Sequence, residues 1–432
     1  MGDLHHDPGS HESLALMKGW IDNCQRSHEL CGMKPRQVGG PKRLLQCLSD
    51  GSVRLVETKS CTQRCDYIAL SYCWGDGKAV KKTMKKTLDR HQLGIPNEDL
   101  PPLFQEVAAL AHGLDTYLWI DSLCIIQDSE EDKQEEIMQM RHIFCGALVV
   151  VVAATAESPL DSLLRVKPQS GQSNTWRTAS PIRYREMDLN VQFRKRPEKA
   201  HSSYTCFGDA TRDTPIAKRA WCFQEKLLAS RCLVFCEDEV VWECRSCCLC
   251  ECGGKQEHFD EHRWSWLFPY ERKLLPLAEH EPLQDGTLKY FADAEAAYSF
   301  WKEAMRNYSC RALTFKTDRL PAISAVASTV AGATGDCYLA GLWRSELLLG
   351  LSWRPYGLPE DDPTPSQEYI APTWSWASYP GSVFLSWSSH GDDYHATVLE
   401  AWTVLKGPDP YGAVSDGAIV LSGVHCDVEM TI

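Results

Sequence analysis

Residues 117–155 decide the fold class, and their sequence is YLWIDSLCIIQDSEEDKQEEIMQMRHIFCGALVVVVAAT. The segment begins and ends with apolar runs of strand length. Between them, acidic residues precede an apolar stripe that predicts an amphipathic helix, formed by Ile137, Met140 and Phe144. A strand, a helix and a second strand at this spacing indicate a parallel α/β unit.

The same segment makes two finer predictions. The strand that begins at Tyr117 continues past Asp121, so this carboxylate would lie near the middle of a buried strand and would need hydrogen-bond partners. Ser129 and Asp132 stand three positions apart, which predicts a capping box at the start of the helix.

The α/β pattern extends to both sides of this segment. On the N-terminal side, YIALSYCWGDG (67–77) is a buried strand closed by glycines, and LPPLFQEVAALAHGLDT (100–116) is a helix that starts at two prolines. On the C-terminal side, RAWCFQEKLLASRCLVF (219–235) predicts a helix that leads into a strand. We therefore expect an α/β domain with a parallel sheet and helices on both faces.

The pattern also sets the expected domain limits. Residues 1–66 contain a helix and short strands, and residues 67–250 form the α/β domain, with an insertion at about 161–215. Residues 251–432 are first helical and then rich in strands. The last residues stop within a strand-like pattern, which is consistent with a chain that continues beyond Ile432.

Composition excludes several classes of partner. The net charge of -13 argues against general binding of nucleic acid, because there is no basic excess to replace counterions. The sequence has no apolar run long enough to span a membrane and no signal peptide, so we expect a cytoplasmic protein. Its 20 cysteines are then expected to be reduced.

Candidate binding residues follow the predicted strands. In parallel sheets, ligands bind beyond the carboxyl ends of the strands. This rule points to residues near 72–76, 121–128 and 154–158. Hydroxyl groups there could bind a ribose or phosphate, and an aromatic face could stack on a base, although large side chains at such a place more often serve packing. The candidates are Ser71, Tyr72, Trp74, Gly75 and Asp121.

Glu225 is the candidate catalytic residue. Trp221, Leu228 and Ala229 surround it on the helical wheel, so an ionised carboxylate there needs a partner or a function. It would either line a pocket together with Trp221 or form an ion pair with Arg219 or Arg231. The sequence leaves both alternatives open.

Two groups of residues have metal-ligand character. In the first, Cys24, His28 and Cys31 fall on one helical face, and the fourth ligand would be Cys47, Cys61 or Cys65. The second has overlapping CxxC steps that predict a zinc site formed by Cys244, Cys247, Cys250 and Cys252. In both cases the alternative is a set of reduced, partly buried thiols.

Four ordered motifs resemble the fungal heterokaryon-incompatibility (HET) domain. They are YIALSYCWG, LPPLFQEVAALAHGLDTYLWIDSLCIIQDSEED, MRHIFCGALVVVVAA and RAWCFQEKLLASRCLVF, and they cover roughly residues 67–245. The resemblance implies a role in non-self recognition and programmed cell death.

The HET domain is in turn similar to TIR domains, which implies a flavodoxin-like sheet and, in several branches, hydrolysis of NAD. The resemblance carries the TIR catalytic glutamate onto Glu225, since Trp221, Cys222 and Glu225 match the TIR motif. Lys226 replaces the leucine of that motif, and about sixty residues separate the helix from the third strand.

Two functions therefore follow from the sequence. The first is an NAD-cleaving death effector that acts through self-association, with NAD as a substrate, no required cofactor and an unidentified incompatibility partner. The second is a signalling adaptor without catalysis, which would bind a partner protein through residues 74–86.

Overall fold

A computed structural model provides the structure of the chain. It describes residues 9–32, 40–60, 65–164, 214–237, 239–251, 290–356, 368–385 and 395–424, together with short strands between 177 and 193, Gly253 and a strand at 256–258. Most of the predicted insertion lies outside the described residues. Among the helices of the described part, none combines the length and the apolar character that crossing a lipid bilayer requires.

The chain divides into two compact units. The first comprises Met1–Ala217 and Glu225–Ala278, and the second comprises Lys218–Gln224 and Glu279–Ile432. The N-terminal helix and strands, which the sequence sets apart as residues 1–66, belong to the same unit as the α/β sheet.

Ten α-helices occur in the described part of the chain. They are α1 (His11–Ser27), α2 (Glu29–Gly32), α3 (Leu88–Leu93), α4 (Pro102–Gly113), α5 (Asp121–Cys124), α6 (Glu130–Gly146), α7 (Ala220–Leu228), α8 (Ala294–Ser309), α9 (Ser324–Thr334) and α10 (Leu347–Gly350). Pro102 occupies the first turn of α4, where a missing N–H costs nothing, as the sequence predicts.

Nineteen strands occur in the described part of the chain. They are β1 (Arg43–Cys47), β2 (Val53–Glu57), β3 (Tyr67–Ser71), β4 (Tyr117–Trp119), β5 (Val149–Ala153), β6 (Arg177–Thr178), β7 (Ile182–Tyr184), β8 (Met187–Leu189), β9 (Gln192–Phe193), β10 (Arg231–Phe235), β11 (Val240–Cys244), β12 (Cys247–Cys250), β13 (Gln256–His258), β14 (Tyr338–Leu339), β15 (Leu342–Trp343), β16 (Arg354–Pro355), β17 (Val383–Phe384), β18 (Ala396–Leu405) and β19 (Val414–Gly423).

The first unit contains a nine-stranded sheet with the order β13-β12-β11-β10-β5-β3-β4-β1-β2. Its four inner strands, β4, β3, β5 and β10, are mutually parallel. Numbered along the chain, they have the order 2-1-3-4, which is the beginning of the flavodoxin-like order 2-1-3-4-5. The predicted α/β class with a parallel sheet is confirmed. The outer strands pair in antiparallel fashion. Short connections join β1 to β2, and they also join each strand from β10 to β13 to the next one along the chain.

The inner strands form the core of this unit. Every residue of β3 and β5 is buried. Such strands consist mainly of apolar residues because neighbours cover both faces of a parallel sheet. Helix α4 contacts β1, β3 and β4, while α1 contacts β11.

Two finer predictions about the segment 117–155 are wrong. Strand β4 ends at Trp119, and Asp121 begins the short helix α5 instead of lying inside a strand. Ser129 is the N-cap of α6, but its side chain makes no capping hydrogen bond. Asp132 instead accepts a hydrogen bond from the Ile126 backbone N–H at 2.8 Å and pairs with Arg43, so tertiary contacts use the carboxylate that a capping box would need.

The second unit is helical and then rich in strands, as the sequence predicts. Trp301 and Trp376 are both buried, and both indole N–H groups donate to the Gly341 carbonyl, at 3.1 and 2.9 Å. Gly341 has a φ of 99°, and a Cβ atom there would collide with the Trp376 indole. Only glycine therefore allows this approach of backbone to indole. The long hairpin of β18 and β19 closes the described part.

Candidate functional site

A hydrogen bond joins the candidate catalytic residue to the sheet. Ser71, the last residue of β3, donates its hydroxyl proton to Glu225 Oε2 at 2.5 Å across a sequence separation of 154 residues. Ser71 is buried, whereas Glu225 is half-buried. The carboxylate is therefore held at the carboxyl end of an inner parallel strand, which is the edge that the sequence predicts for a ligand.

The chain order of the strands reverses between β3 and β5, and this edge is the topological switch point of the sheet. Gly75 follows β3 with a φ of 62°, and a Cβ atom at this position would lie 2.9 Å from Ser158 Cβ. The loops after β3 and β5 thus approach so closely that only glycine fits. Gly75 has a packing role here, and its predicted role in ligand binding stays a prediction.

Trp74 and Asp121 lie together at the same edge. The Trp74 indole donates to Asp121 Oδ2 at 2.9 Å, and Asp121 Oδ1 accepts the Ser122 backbone N–H at 2.6 Å. The Lys82 ammonium lies 5.0 Å from the centroid of the Trp74 ring. This cation–π contact covers one face of the Trp74 ring. A base that stacked on that face would have to displace the Lys82 ammonium.

Tyr72 points into the core. It is buried, its hydroxyl donates to Ser122 Oγ at 3.1 Å, and its ring meets Phe104 edge to face at 5.2 Å. The hydroxyl predicted to bind a ribose is thus used inside the protein.

Helix α7 carries Trp221 and Glu225, and the boundary between the two units falls between these residues. Within the second unit, the Trp221 indole donates to Asp318 Oδ2 at 3.1 Å. Within the first unit, Lys226 pairs with Glu243 on β11 at 3.1 Å. Trp221 and Glu225 are one helical turn apart, but their described polar contacts lie in different units.

Arg231 does not pair with Glu225. Its guanidinium donates to Cys24 Sγ at 3.1 Å and to the carbonyl groups of Cys31 and Leu148, at 2.9 and 3.4 Å. One of the two ion pairs that the sequence leaves open for Glu225 is thereby removed. The Glu225 carboxylate can stabilise positive charge that develops at the strand ends, because it is partly desolvated and held in place by Ser71.

The structure rearranges the two predicted metal clusters. Cys24, His28 and Cys31 lie beside Cys244, and their ligand atoms are all within 4.8 Å of one another. Cys244 therefore takes the fourth position, for which the sequence offers Cys47, Cys61 or Cys65. Sequence reasoning missed this grouping because Cys244 follows His28 by 216 residues.

The second predicted cluster, Cys244, Cys247, Cys250 and Cys252, stays a prediction. Cys247 Sγ lies 3.6 Å from Cys244 Sγ. Cys247 and Cys250 stand three residues apart on β12, and alternation along a strand directs their side chains to opposite faces. Cys252 lies outside the described residues, as does Cys61.

Comparison with known families identifies the segment around the candidate site. Residues 67–225 match the family model described as Heterokaryon incompatibility protein (HET).

The segment that carries the candidate site is similar to the HET domain.

Ser71, Tyr72, Trp74, Gly75, Asp121 and Glu225 all lie within it. The cluster of Cys24, His28, Cys31 and Cys244 lies outside the matched residues, on both sides.

A curated relative supports the same family. The chain is 29% identical over 123 residues to "Heterokaryon incompatibility protein 6, OR allele" of Neurospora crassa. The match covers 24% of this chain and 17% of the relative, so this chain spans under a fifth of that protein's length. No solved structure matches the chain significantly.

Proposed function

We propose that this protein acts in fungal heterokaryon incompatibility as a cell-death effector that hydrolyses NAD. The HET domain and the similarity to an incompatibility protein support the general role. The hydrogen bond between Ser71 and Glu225 at the switch point of the sheet carries the proposal of catalysis.

The reaction needs few groups from the protein. NAD and water yield nicotinamide, ADP-ribose and a proton as the bond between nicotinamide and the ribose breaks. The ribose acquires oxocarbenium character in the transition state, and a nearby carboxylate stabilises this positive charge. Nicotinamide leaves with the bonding electron pair, and water adds to the ribose carbon. Glu225 supplies the carboxylate, and Ser71 positions it.

Self-association belongs to the same proposal. The Glu225 carboxylate is only half-buried, whereas stabilising an oxocarbenium ion is most effective where water is excluded. A second copy of the chain that covers this edge of the sheet would exclude water. We therefore expect activity per molecule to rise with protein concentration.

A second candidate function is the non-catalytic adaptor. The Tyr72 hydroxyl is used internally and a Trp74 ring face is covered, which favours packing over nucleotide contacts for these two residues. Asp76 and Lys78 in the following loop are exposed, and this loop would contact the partner protein.

Incubation of the purified full chain with NAD over a range of protein concentrations tests the proposal, with nicotinamide measured by chromatography. We expect release by the wild type and none by Glu225→Gln. Glu131→Gln, which makes the same change at an exposed position of α6, is the matched control and should retain activity. Wild-type protein that is oligomeric yet releases no nicotinamide would support the adaptor instead.

A further inference from the structure

Four potential metal ligands from distant parts of the sequence converge in the first unit. Cys24 lies in the last turn of α1, His28 caps that helix, Cys31 lies in α2 and Cys244 ends β11. Their ligand atoms fit within 4.8 Å of one another. The three cysteines are buried, and His28 is half-buried.

The spacing of the ligand atoms suits a tetrahedral zinc ion. With Zn–S and Zn–N distances of about 2.3 and 2.0 Å, a sulfur and a nitrogen bound to one zinc ion lie about 3.5 Å apart. Cys244 Sγ and His28 Nδ1 are 3.4 Å apart. Three sulfurs and one imidazole form a common donor set of structural zinc sites, in which the protein fills all four positions.

The charge of Arg231 provides a second, independent observation. Its side chain is only 2% exposed, and it donates to Cys24 Sγ at 3.1 Å. In the described residues, no carboxylate forms an ion pair with this guanidinium, although a buried charge requires compensation. A zinc ion with three thiolates and one neutral imidazole carries one net negative charge, which Arg231 would balance.

Backbone groups also prepare the Cys244 sulfur for a metal. The N–H groups of Ser246 and Cys247 donate to Cys244 Sγ, at 3.4 and 3.3 Å. Hydrogen bonds from outside the ligand set fix the orientation of metal ligands and stabilise their charged form. Cys247 thus supports the ligand Cys244 and is not itself part of the four-ligand group.

We propose that Cys24, His28, Cys31 and Cys244 bind one structural zinc ion. The ion would join α1 and α2 to the end of β11, across more than 200 residues of sequence. It lies outside the matched HET segment and does not take part in the proposed hydrolysis.

Metal analysis of the wild-type full chain, purified without added metal, is the first test. We expect about one zinc ion per chain. X-ray absorption at the zinc edge should show three sulfur neighbours at about 2.3 Å and one nitrogen at about 2.0 Å. Protein that contains no zinc and takes up none from a buffered zinc solution would overturn the proposal, as would four sulfur neighbours.

Substitution identifies the ligands. Cys244→Ser should lose the zinc, whereas Cys250→Ser should retain it, since Cys250 is buried in the same hairpin but outside the four-ligand group. Loss in Cys250→Ser with retention in Cys244→Ser would contradict the assignment. If Cys244→Ser fails to fold, X-ray absorption of the wild type tests the assignment instead. Three sulfur neighbours and one nitrogen would support the four proposed ligands, and four sulfur neighbours would contradict them.

Discussion

The Ser71 hydroxyl positions the Glu225 carboxylate, and its removal gives a prediction at the scale of single residues. A hydrogen bond to a charged group contributes about 1.5–3 kcal/mol, so Ser71→Ala should lower kcat for the proposed NAD cleavage by roughly 10- to 100-fold. The acid limb of the pH–rate profile should also move to higher pH, because a donor to the charged carboxylate is lost.

A buried serine elsewhere provides the control for this prediction. Ser13→Ala in α1 makes the same change at similar burial and should leave both kcat and the pH profile unchanged. Steady-state kinetics across pH check the outcome. A Ser71→Ala enzyme with an unchanged profile would show that the hydroxyl does not act through Glu225.

Glu136 gives a prediction for stability. It is fully buried, its Oε1 accepts the Lys42 backbone N–H at 3.0 Å, and its Oε2 has no hydrogen-bond partner in the described part of the chain. Burial raises the pKa of Glu136 from 4.5 to about 7, despite the opposing effect of that N–H.

The sign of the pH effect follows from proton binding. Between pH 4.5 and 7 the folded protein binds more protons at Glu136 than the unfolded chain does, so this residue lowers the free energy of unfolding as pH rises. The full effect, reached well above pH 7, is about 3.5 kcal/mol, at about 1.4 kcal/mol per unit of pKa. Glu136→Gln should therefore stabilise the protein at pH 8 and change little at pH 4, as denaturant unfolding would show. Equal effects at both pH values would contradict this account.

At the scale of elements, a buried ion pair attaches the start of α6 to β1. Asp132 pairs with Arg43, and both side chains are buried. Burial opposes the charged form, but Arg43 and the Ile126 N–H outweigh it and lower the pKa of Asp132 below its usual range. The pair therefore contributes its stability at neutral pH and loses it as pH falls through the pKa of Asp132.

The predicted capping box and the observed ion pair lead to different expectations for the stability of two variants, Asp132→Asn and Ser129→Ala. Asp132→Asn should cost about 3 kcal/mol at pH 7, because it leaves the buried Arg43 with only Glu57, at 3.9 Å, as an ion-pair partner. Ser129→Ala should cost under about 0.5 kcal/mol, since the N-cap side chain makes no capping bond. Denaturant unfolding of both variants checks this. A loss of about 1 kcal/mol or more in the free energy of unfolding of Ser129→Ala would support the capping box instead.

The contact between β10 and the proposed zinc site gives another prediction at this scale. Arg231 begins β10 and is the cross-strand partner of Cys244 on β11. Arg231→Met removes the charge while keeping an unbranched side chain, and it should weaken zinc binding by about 10- to 100-fold. Competition with a chromophoric chelator measures this. Arg54→Met, an exposed arginine on β2, should bind zinc like the wild type.

At the scale of the whole molecule, the proposed zinc ion links folding to metal concentration. A ligand that binds only the folded state stabilises it by about 4 kcal/mol at a thousand times its Kd. A strong chelator should therefore lower the Tm of the wild type, and added zinc should restore it. Cys244→Ser should have a lower Tm that does not respond to the chelator. A wild-type Tm that is unchanged after complete chelation would contradict a stabilising metal.

The sequence by itself determined the α/β class, because apolar runs of strand length and amphipathic helices are local patterns. It also determined which end of the sheet to examine, since the carboxyl ends of parallel strands share one edge. This rule selected Ser71 and Asp121 as candidates, whereas Glu225 was selected from its apolar neighbours on the helix and from the TIR resemblance.

Only the tertiary structure decided which partners these residues have. Local patterns placed Asp121 in a strand and Asp132 in a capping box, but long-range contacts gave both carboxylates other partners. The same is true of Cys244, which lies beside Cys24 and His28 although more than 200 residues of sequence separate it from them. Side-chain pairing across hundreds of residues depends on how the strands are ordered in the sheet, and local periodicity carries no information about that order.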